Sequence, residues 1–218
     1  MQLPFTAAQF FEVFRRYNEA VWPAPIALTG VAAAALALAF VPRRWAGMAI
    51  SASLAFLWLW LGVVYHAMFF ASINPAALGF AALSVAAAGA FAWHGVARRR
   101  LAFRCTRSIR SLVGLALVLF SLTVYPAWAT LAGHRYPAMP TFGLPCPTTL
   151  FTIGMLCLLV RPYPRWPLVV PILWCIVGSQ AAFLLGVPQD LALLPAAAAG
   201  SVLAMRSNTP RVMPKPGA

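Results

Sequence analysis

Long apolar stretches separated by short polar segments dominate the sequence. Their lengths suit helices in hydrocarbon, and we predict seven crossings, at residues 20–41, 46–71, 75–97, 109–131, 146–160, 166–186 and 188–205. The pattern predicts an all-α fold, a polytopic transmembrane helix bundle of about seven crossings. We divide the chain into an amphipathic interfacial helix at 1–19, a single transmembrane bundle at 20–206 and a disordered cytoplasmic tail at 207–218.

The segment before the first crossing has a different pattern. Apolar residues recur at helical spacing on one face, at Phe10, Phe14, Tyr17 and Val21. Opposite charges four residues apart lie on the other face, pairing Glu12 with Arg16 and Arg15 with Glu19. The T-x-x-Q pattern of Thr6 and Gln9 is typical of a helix start. We therefore predict an amphipathic helix that lies in the membrane interface.

Arginines set the predicted orientation. They collect at four places, residues 43–44, 98–110, 161–165 and 206–215, and these alternate with nearly uncharged loops. Basic residues favour cytoplasmic loops, so we predict an outer N-terminus and a cytoplasmic C-terminus in a bacterial inner membrane. A six-crossing alternative makes 146–160 re-entrant and moves Arg161 and Arg165 outside.

Composition limits the partners. Hydrophobic residues make up 62% of the 218 residues and charged residues only 9%, which leaves no segment for a soluble domain. The net charge of +13 fits contact with anionic headgroups, and no basic domain for nucleic acid is present. The expected partner is the lipid bilayer, with other membrane subunits or a homo-oligomer left open.

Other polar residues fall on the predicted outer side. They are the three acidic residues and a group of potential ligands: Glu12, Glu19, Asp190, His66, His134, Met139 and Cys146. Ionisable residues within membrane segments are rare and usually face a bundle interior. We take Glu19, Tyr65, His66, His134, Arg135 and Asp190 as candidate ligand-binding residues. Three of them have a plainer interpretation: His66 as an interfacial histidine, Asp190 as a helix cap and Glu19 as the partner of Arg15.

The loop GHRYPAMPTFGLPCPTT at 133–149 holds the most specific candidate. Cys146 lies fifteen residues before Arg161, or about 22 Å along a helix at ~1.5 Å per residue. The hydrocarbon is about 30 Å thick, so we expect the loop to dip into the bundle. Pro147 suits a first helical position with Cys146 as the cap. There a soft metal ion is a candidate cofactor, with Cys146, His66, His134 and Met139 as ligands. The alternative is a proline-braced loop around an inert cysteine.

Four pieces carry a resemblance. YNEAVWP, YHAMFFASINPAA, GHRYPAMPTFGLPCPTT and GVPQDLALL, at 17–23, 65–77, 133–149 and 186–194, resemble an uncharacterised family of bacterial integral membrane proteins. The resemblance implies a small bacterial multi-pass membrane protein and no particular activity.

Three functions fit these patterns. The leading one is an inner-membrane protein whose outward-facing polar pocket binds or transports a small solute. The second is a non-catalytic accessory or assembly subunit, whose small-residue helices at 31–40 and 195–204 pack against partners. The third is an intramembrane enzyme that uses a Cys–His pair, although no common catalytic motif is present.

Overall fold

A computed structural model describes residues 4–207, and this part of the chain is helical without a named strand. Eight helices follow one another: α1 Ala7–Ala20, α2 Ala24–Leu38, α3 Arg44–Ser72, α4 Ala77–Ala97, α5 Ile109–Leu131, α6 Pro145–Leu156, α7 Trp166–Leu184 and α8 Leu193–Met205. A short 3₁₀ turn, Pro188–Ala192, leads into α8. The predicted all-helical fold is therefore confirmed. The predicted tail at 207–218 lies outside the described residues except for Ser207.

Within residues 4–207, four helices are long and apolar enough to cross a membrane, namely α3, α4, α5 and α7. A fifth candidate is the pair α1 and α2, which are bent by 85° at the break between them. Helices α6 and α8 have 12 and 13 residues, whereas a full crossing takes about 20. Each predicted segment contains a helix, while the predicted number of seven crossings stays a prediction.

Helix α1 begins as the sequence indicates. The Thr6 hydroxyl accepts from the Gln9 amide and the Gln9 side chain accepts from the Thr6 amide, which completes a capping box. One ion-pair prediction is wrong, because Arg15 contacts both Glu12, at 2.5 Å, and Glu19, at 2.7 Å. Its guanidinium reaches both carboxylates from one face, so Glu12 pairs three residues along the helix instead of with Arg16.

The short helix α6 forms the centre of the bundle. Among its residues only Cys146 is not fully buried. A Cβ on Gly154 would lie 2.7 Å from the Gly114 carbonyl oxygen, and one on Gly114 would lie 2.6 Å from the Gly154 oxygen. The two glycines therefore let α5 and α6 cross backbone to backbone. Because the other helices enclose α6, it does not have to match the full thickness of a bilayer.

The second half of α3 is a π-helix, Leu61–Phe69. Its i→i+5 hydrogen bonds widen the turn, a feature frequent at functional sites. Tyr65 and His66 are neighbours in sequence, yet both are buried, with exposures of 1% and 0%. The widened turn directs two successive polar side chains into the bundle.

Charge separates the two ends of the bundle. At the end that we name the basic end, backbone hydrogen bonds join the arginine-bearing segments, from Cys105 to Ala39, from Arg104 to Leu158 and from Tyr163 to Ser207. The opposite end, the acidic end, comprises α1, the 133–145 loop and the turn before α8. It carries the three acidic residues, Glu12, Glu19 and Asp190, together with Arg15, Arg16 and Arg135. Placement of the other arginine-bearing segments at one end agrees with the predicted topology, while the orientation in a membrane stays a prediction.

Candidate functional site

A cavity of about 170 Å³ lies at the acidic end, among α1, α3, α6, α7 and the 3₁₀ turn. Pockets for drug-sized ligands typically measure about 300–1,000 Å³. This cavity matches about five water molecules at ~30 Å³ each, or one small organic molecule. Its size excludes a large enclosed substrate.

Aromatic rings form much of the wall. They are Phe5, Phe10, Phe14, Tyr65, Phe70, Phe80, Tyr125 and Trp174. Neighbouring rings contact one another, with centroids 5.6 Å apart for Phe5 and Phe70, and 5.2 Å apart for Phe80 and Trp174. Such faces suit an apolar body, and their negative quadrupoles also attract a cation.

Asp190 supplies the acidic group of the wall. It is 2% exposed, and Tyr125 donates a hydrogen bond to its Oδ1 at 2.5 Å. The Cys146 thiol forms a second hydrogen-bonding contact with this carboxyl. Within residues 4–207 both salt bridges belong to Arg15, so no basic side chain pairs with Asp190. A buried carboxyl without a cationic partner is costly unless it is protonated or receives a cation from outside the chain.

Two further polar groups in the wall are buried. His66 is fully buried, and neither ring nitrogen forms a hydrogen bond within the described part of the chain. The indole Nε1 of Trp174 is buried beside the Cys146 thiol, and the His66 and Trp174 ring centroids lie 5.0 Å apart. A buried unsatisfied polar group costs about 1–3 kcal/mol. These groups therefore mark where a bound molecule would find hydrogen-bond partners.

Four predicted residues line this cavity: Tyr65, His66, Cys146 and Asp190. They come from three separate stretches of sequence, which folding brings together. Cys146 and Trp174 meet beside Gly178, where an added Cβ would lie 3.3 Å from the Cys146 Sγ and 3.1 Å from the Trp174 Nε1. The cavity thus has one carboxyl, one thiol and one imidazole on a largely apolar wall that also includes Tyr65, Tyr125, Asn74 and Gln180.

Three other predicted ligand-binding residues lie elsewhere. Glu19 is held by Arg15 and is half exposed. The His134 ring stacks on Phe11, with centroids 3.9 Å apart. Arg135 is exposed in the loop. None of the three lines the cavity, and Glu19 follows the plainer interpretation, as the partner of Arg15.

The soft-metal hypothesis gains no support from this geometry. Within residues 4–207, no three His, Cys, Asp or Glu side chains are grouped to hold a metal ion. Met139 is buried in the loop and does not line the cavity. Cys146 is not the helix cap, because Leu144 holds that position and Pro145 is the first helical residue. The fixed φ of Pro145 suits that first position and starts the helix earlier than we predict.

The loop 133–145 covers the cavity, and one residue of α1 holds it. Asn18 is fully buried, and its Nδ2 donates to the carbonyl oxygens of Pro137, at 2.6 Å, and Met139, at 2.9 Å. Its Oδ1 accepts from the Thr141 hydroxyl at 2.7 Å. Asn18 follows Phe14 by four residues and so falls on the apolar face of α1. A polar residue on that face is the signal that could have identified it.

Gly143 lets the loop turn into α6. Its φ is +99°, a conformation that L side chains rarely adopt. A Cβ there would lie 2.4 Å from the Leu28 Cδ1. From Met139 to Pro145 every residue except Thr141 is buried, which confirms that the second half of the loop packs into the bundle.

Comparison with known proteins gives one match. The model of the family of unknown function DUF6064 matches residues 7–213. This range contains the four sequence pieces that resemble an uncharacterised family and all the residues of the cavity except Phe5. No curated protein and no solved structure matches the chain.

Proposed function

The chain belongs to the family of unknown function DUF6064. Because this membership indicates no activity, we propose the function of the protein from the cavity. The protein binds one small organic solute at the acidic end, with its apolar body between the aromatic rings and a basic amine at Asp190. The observation that carries this proposal is a buried carboxyl that no Lys or Arg of the described chain neutralises, inside an aromatic cavity.

The wall explains the selectivity that we propose. An ammonium group would donate a charge-assisted hydrogen bond to the Asp190 carboxylate and would be attracted to the faces of the surrounding rings. His66 can accept a second hydrogen bond through an unpaired ring nitrogen. An anionic solute would meet the same carboxyl with like charge and no basic side chain to offset it.

The membrane arrangement is part of the proposal. We place the protein in a bacterial inner membrane with seven crossings, an outer N-terminus and the cavity facing outward, so that solute arrives from outside. The placement is supported by the four long apolar helices and by the gathering of the arginine segments at one end. Transport would need a route past the buried helix α6, and binding alone does not.

Three probes of similar shape test the proposal. Calorimetric titration of purified protein should rank phenethylamine above phenethyl alcohol, and phenethyl alcohol above phenylacetate. We expect the amine to bind at least about tenfold more tightly than the alcohol, since a charge-assisted hydrogen bond contributes about 1.5–3 kcal/mol.

Two variants distinguish binding at Asp190 from a general effect of negative charge at the acidic end. Asp190→Asn keeps an acceptor for Tyr125 and should abolish the preference for the amine over the alcohol. Glu19→Gln removes the same charge from the same end, outside the cavity, and should leave the ranking unchanged. Equal binding of all three probes would contradict the proposal, and binding of none would favour the accessory-subunit alternative.

A further inference from the structure

A second pocket lies at the basic end, and the charge of its lining residues is opposite to that of the cavity. It is a groove of about 710 Å³ between the start of α5, the segment after α6 and the end of α8. Arginines from three separate stretches of sequence line it: Arg104, Arg110, Arg161 and Arg206. Its other lining residues include apolar side chains such as Val113 and Val202.

No acidic side chain balances these arginines. The whole chain has three acidic residues, two of which pair with Arg15 while Asp190 lines the cavity. Arg110 donates to the Leu159 carbonyl oxygen, which fixes its guanidinium at the groove wall. The Nε of Arg161 is buried and has no hydrogen-bond partner in residues 4–207. The groove therefore concentrates the positive charge of four guanidinium groups in a wall that has no acidic side chain.

Neighbouring groups place the charges close together. Burial raises the pKa of the Tyr163 phenol, while Arg110 and Arg161 both oppose that rise, so both guanidinium groups lie near one side chain. The Tyr163 hydroxyl donates to the Leu203 carbonyl oxygen of α8 at 3.1 Å. This hydrogen bond ties the segment after α6 to the helix that carries Arg206.

The start of α5 adds donors at the same place. Ser108 caps the helix, and the Thr106 hydroxyl lies 3.1 Å from the hydroxyl groups of Ser108 and Ser111. Thr106 and Ser108 both line the groove. Helix starts and arginine forks are both suited to phosphate oxygens.

From these contacts we infer that the groove binds the phosphate headgroup of an anionic phospholipid. The headgroup lies among Arg104, Arg110, Arg161 and Arg206, and an acyl chain lies along Val113 and Val202. A lipid accounts for both parts of the groove, since inorganic phosphate would use the arginines and leave the apolar part empty. Basic pockets between membrane helices are known to hold such headgroups.

Native mass spectrometry of the full chain tests the inference. Delipidated protein is titrated separately with phosphatidylglycerol, phosphatidylcholine and inorganic phosphate. One phosphatidylglycerol should remain bound at concentrations where phosphatidylcholine does not, with about a tenfold difference in apparent affinity. Equal retention of the two lipids would overturn the inference. Displacement of phosphatidylglycerol by millimolar phosphate would assign the groove to free phosphate instead.

Three variants sharpen the assignment. Arg161→Gln should lower phosphatidylglycerol affinity about tenfold, whereas Arg107→Gln, on the same end but outside the groove lining, should change it by less than about twofold. Val202→Trp fills the apolar part at a 40% exposed position and should weaken lipid binding without altering charge. If Arg161→Gln does not fold, Val202→Trp decides the test. Unchanged binding in Val202→Trp would overturn the lipid assignment.

Discussion

The two ends of the bundle carry their charged side chains in different settings. The acidic end has a cavity of about 170 Å³ lined by aromatic rings, with one buried carboxyl held by a tyrosine and a cysteine. The basic end has a groove of about 710 Å³, with four arginines and no acid in its wall. A few buried polar groups among aromatic rings suit recognition of one small molecule. Many exposed charges of one sign suit a headgroup.

The difference follows from the energetics of burial. A lone charge is costly to move out of water, so the acidic end carries its single buried carboxyl in a hydrogen-bonded setting. Guanidinium groups at the basic end remain partly or fully exposed, and water and headgroups can solvate them. The acidic end should therefore be sensitive to the loss of single contacts, and the basic end should tolerate such losses.

The largest expected effect is the loss of the amide that holds the loop. Asn18→Ala should lower the free energy of unfolding by about 3 kcal/mol, because it leaves the Pro137 and Met139 carbonyl groups and the Thr141 hydroxyl without their partner. Thermal unfolding in detergent measures it. The exposed Arg165→Gln at the basic end should stay within about 0.5 kcal/mol of wild type. Similar losses in both variants would remove the contrast between the ends.

A smaller effect should follow from filling the cavity. In Gly178→Ala the added Cβ would approach the Leu193 Cδ1 to 2.9 Å and the Cys146 Sγ to 3.3 Å. We expect phenethylamine affinity to fall about tenfold, which corresponds to about 1.4 kcal/mol. Gly79→Ala is the matched control, since a Cβ there meets nothing within 4 Å. Unchanged affinity in Gly178→Ala would place the amine somewhere other than this cavity.

The smallest expected effect is a difference in salt dependence between ligand binding at the two ends. Raising ionic strength from about 0.05 M to about 0.5 M shortens the screening length and acts most on exposed charges. Phosphatidylglycerol retention at the groove should fall about fivefold over that range, because its arginines are partly or fully exposed. Phenethylamine binding should change less than about twofold, because Asp190 is buried. Paired titrations at both ionic strengths measure the difference, and equal salt sensitivity would mean that the cavity is open to ions.

Much of the fold could be predicted from the sequence, because long apolar runs have few structures available to them in hydrocarbon. His66 and Asp190 could be recognised as candidates because ionisable residues are rare within apolar segments. Trp174 could not be recognised as a cavity residue from the sequence. Trp166 lies in the same helix in an equally apolar context, yet its side chain is 63% exposed, whereas that of Trp174 is 8% exposed. Only packing distinguishes the two. The partner of Glu12 and the start of α6 depend on side-chain reach and on which proline begins the helix, and a pattern of residue types does not specify either.

Cross-linking tests the central claim, that the acidic end is the solute site, most directly. A diazirine derivative of phenethylamine is activated on the purified protein, and labelled peptides are mapped by mass spectrometry. We expect labels at Tyr65–Phe70, around Cys146 and between Trp174 and Asp190, and excess phenethylamine should suppress them. Suppressible labels on residues 104–113 or 198–206 of the basic end would contradict it.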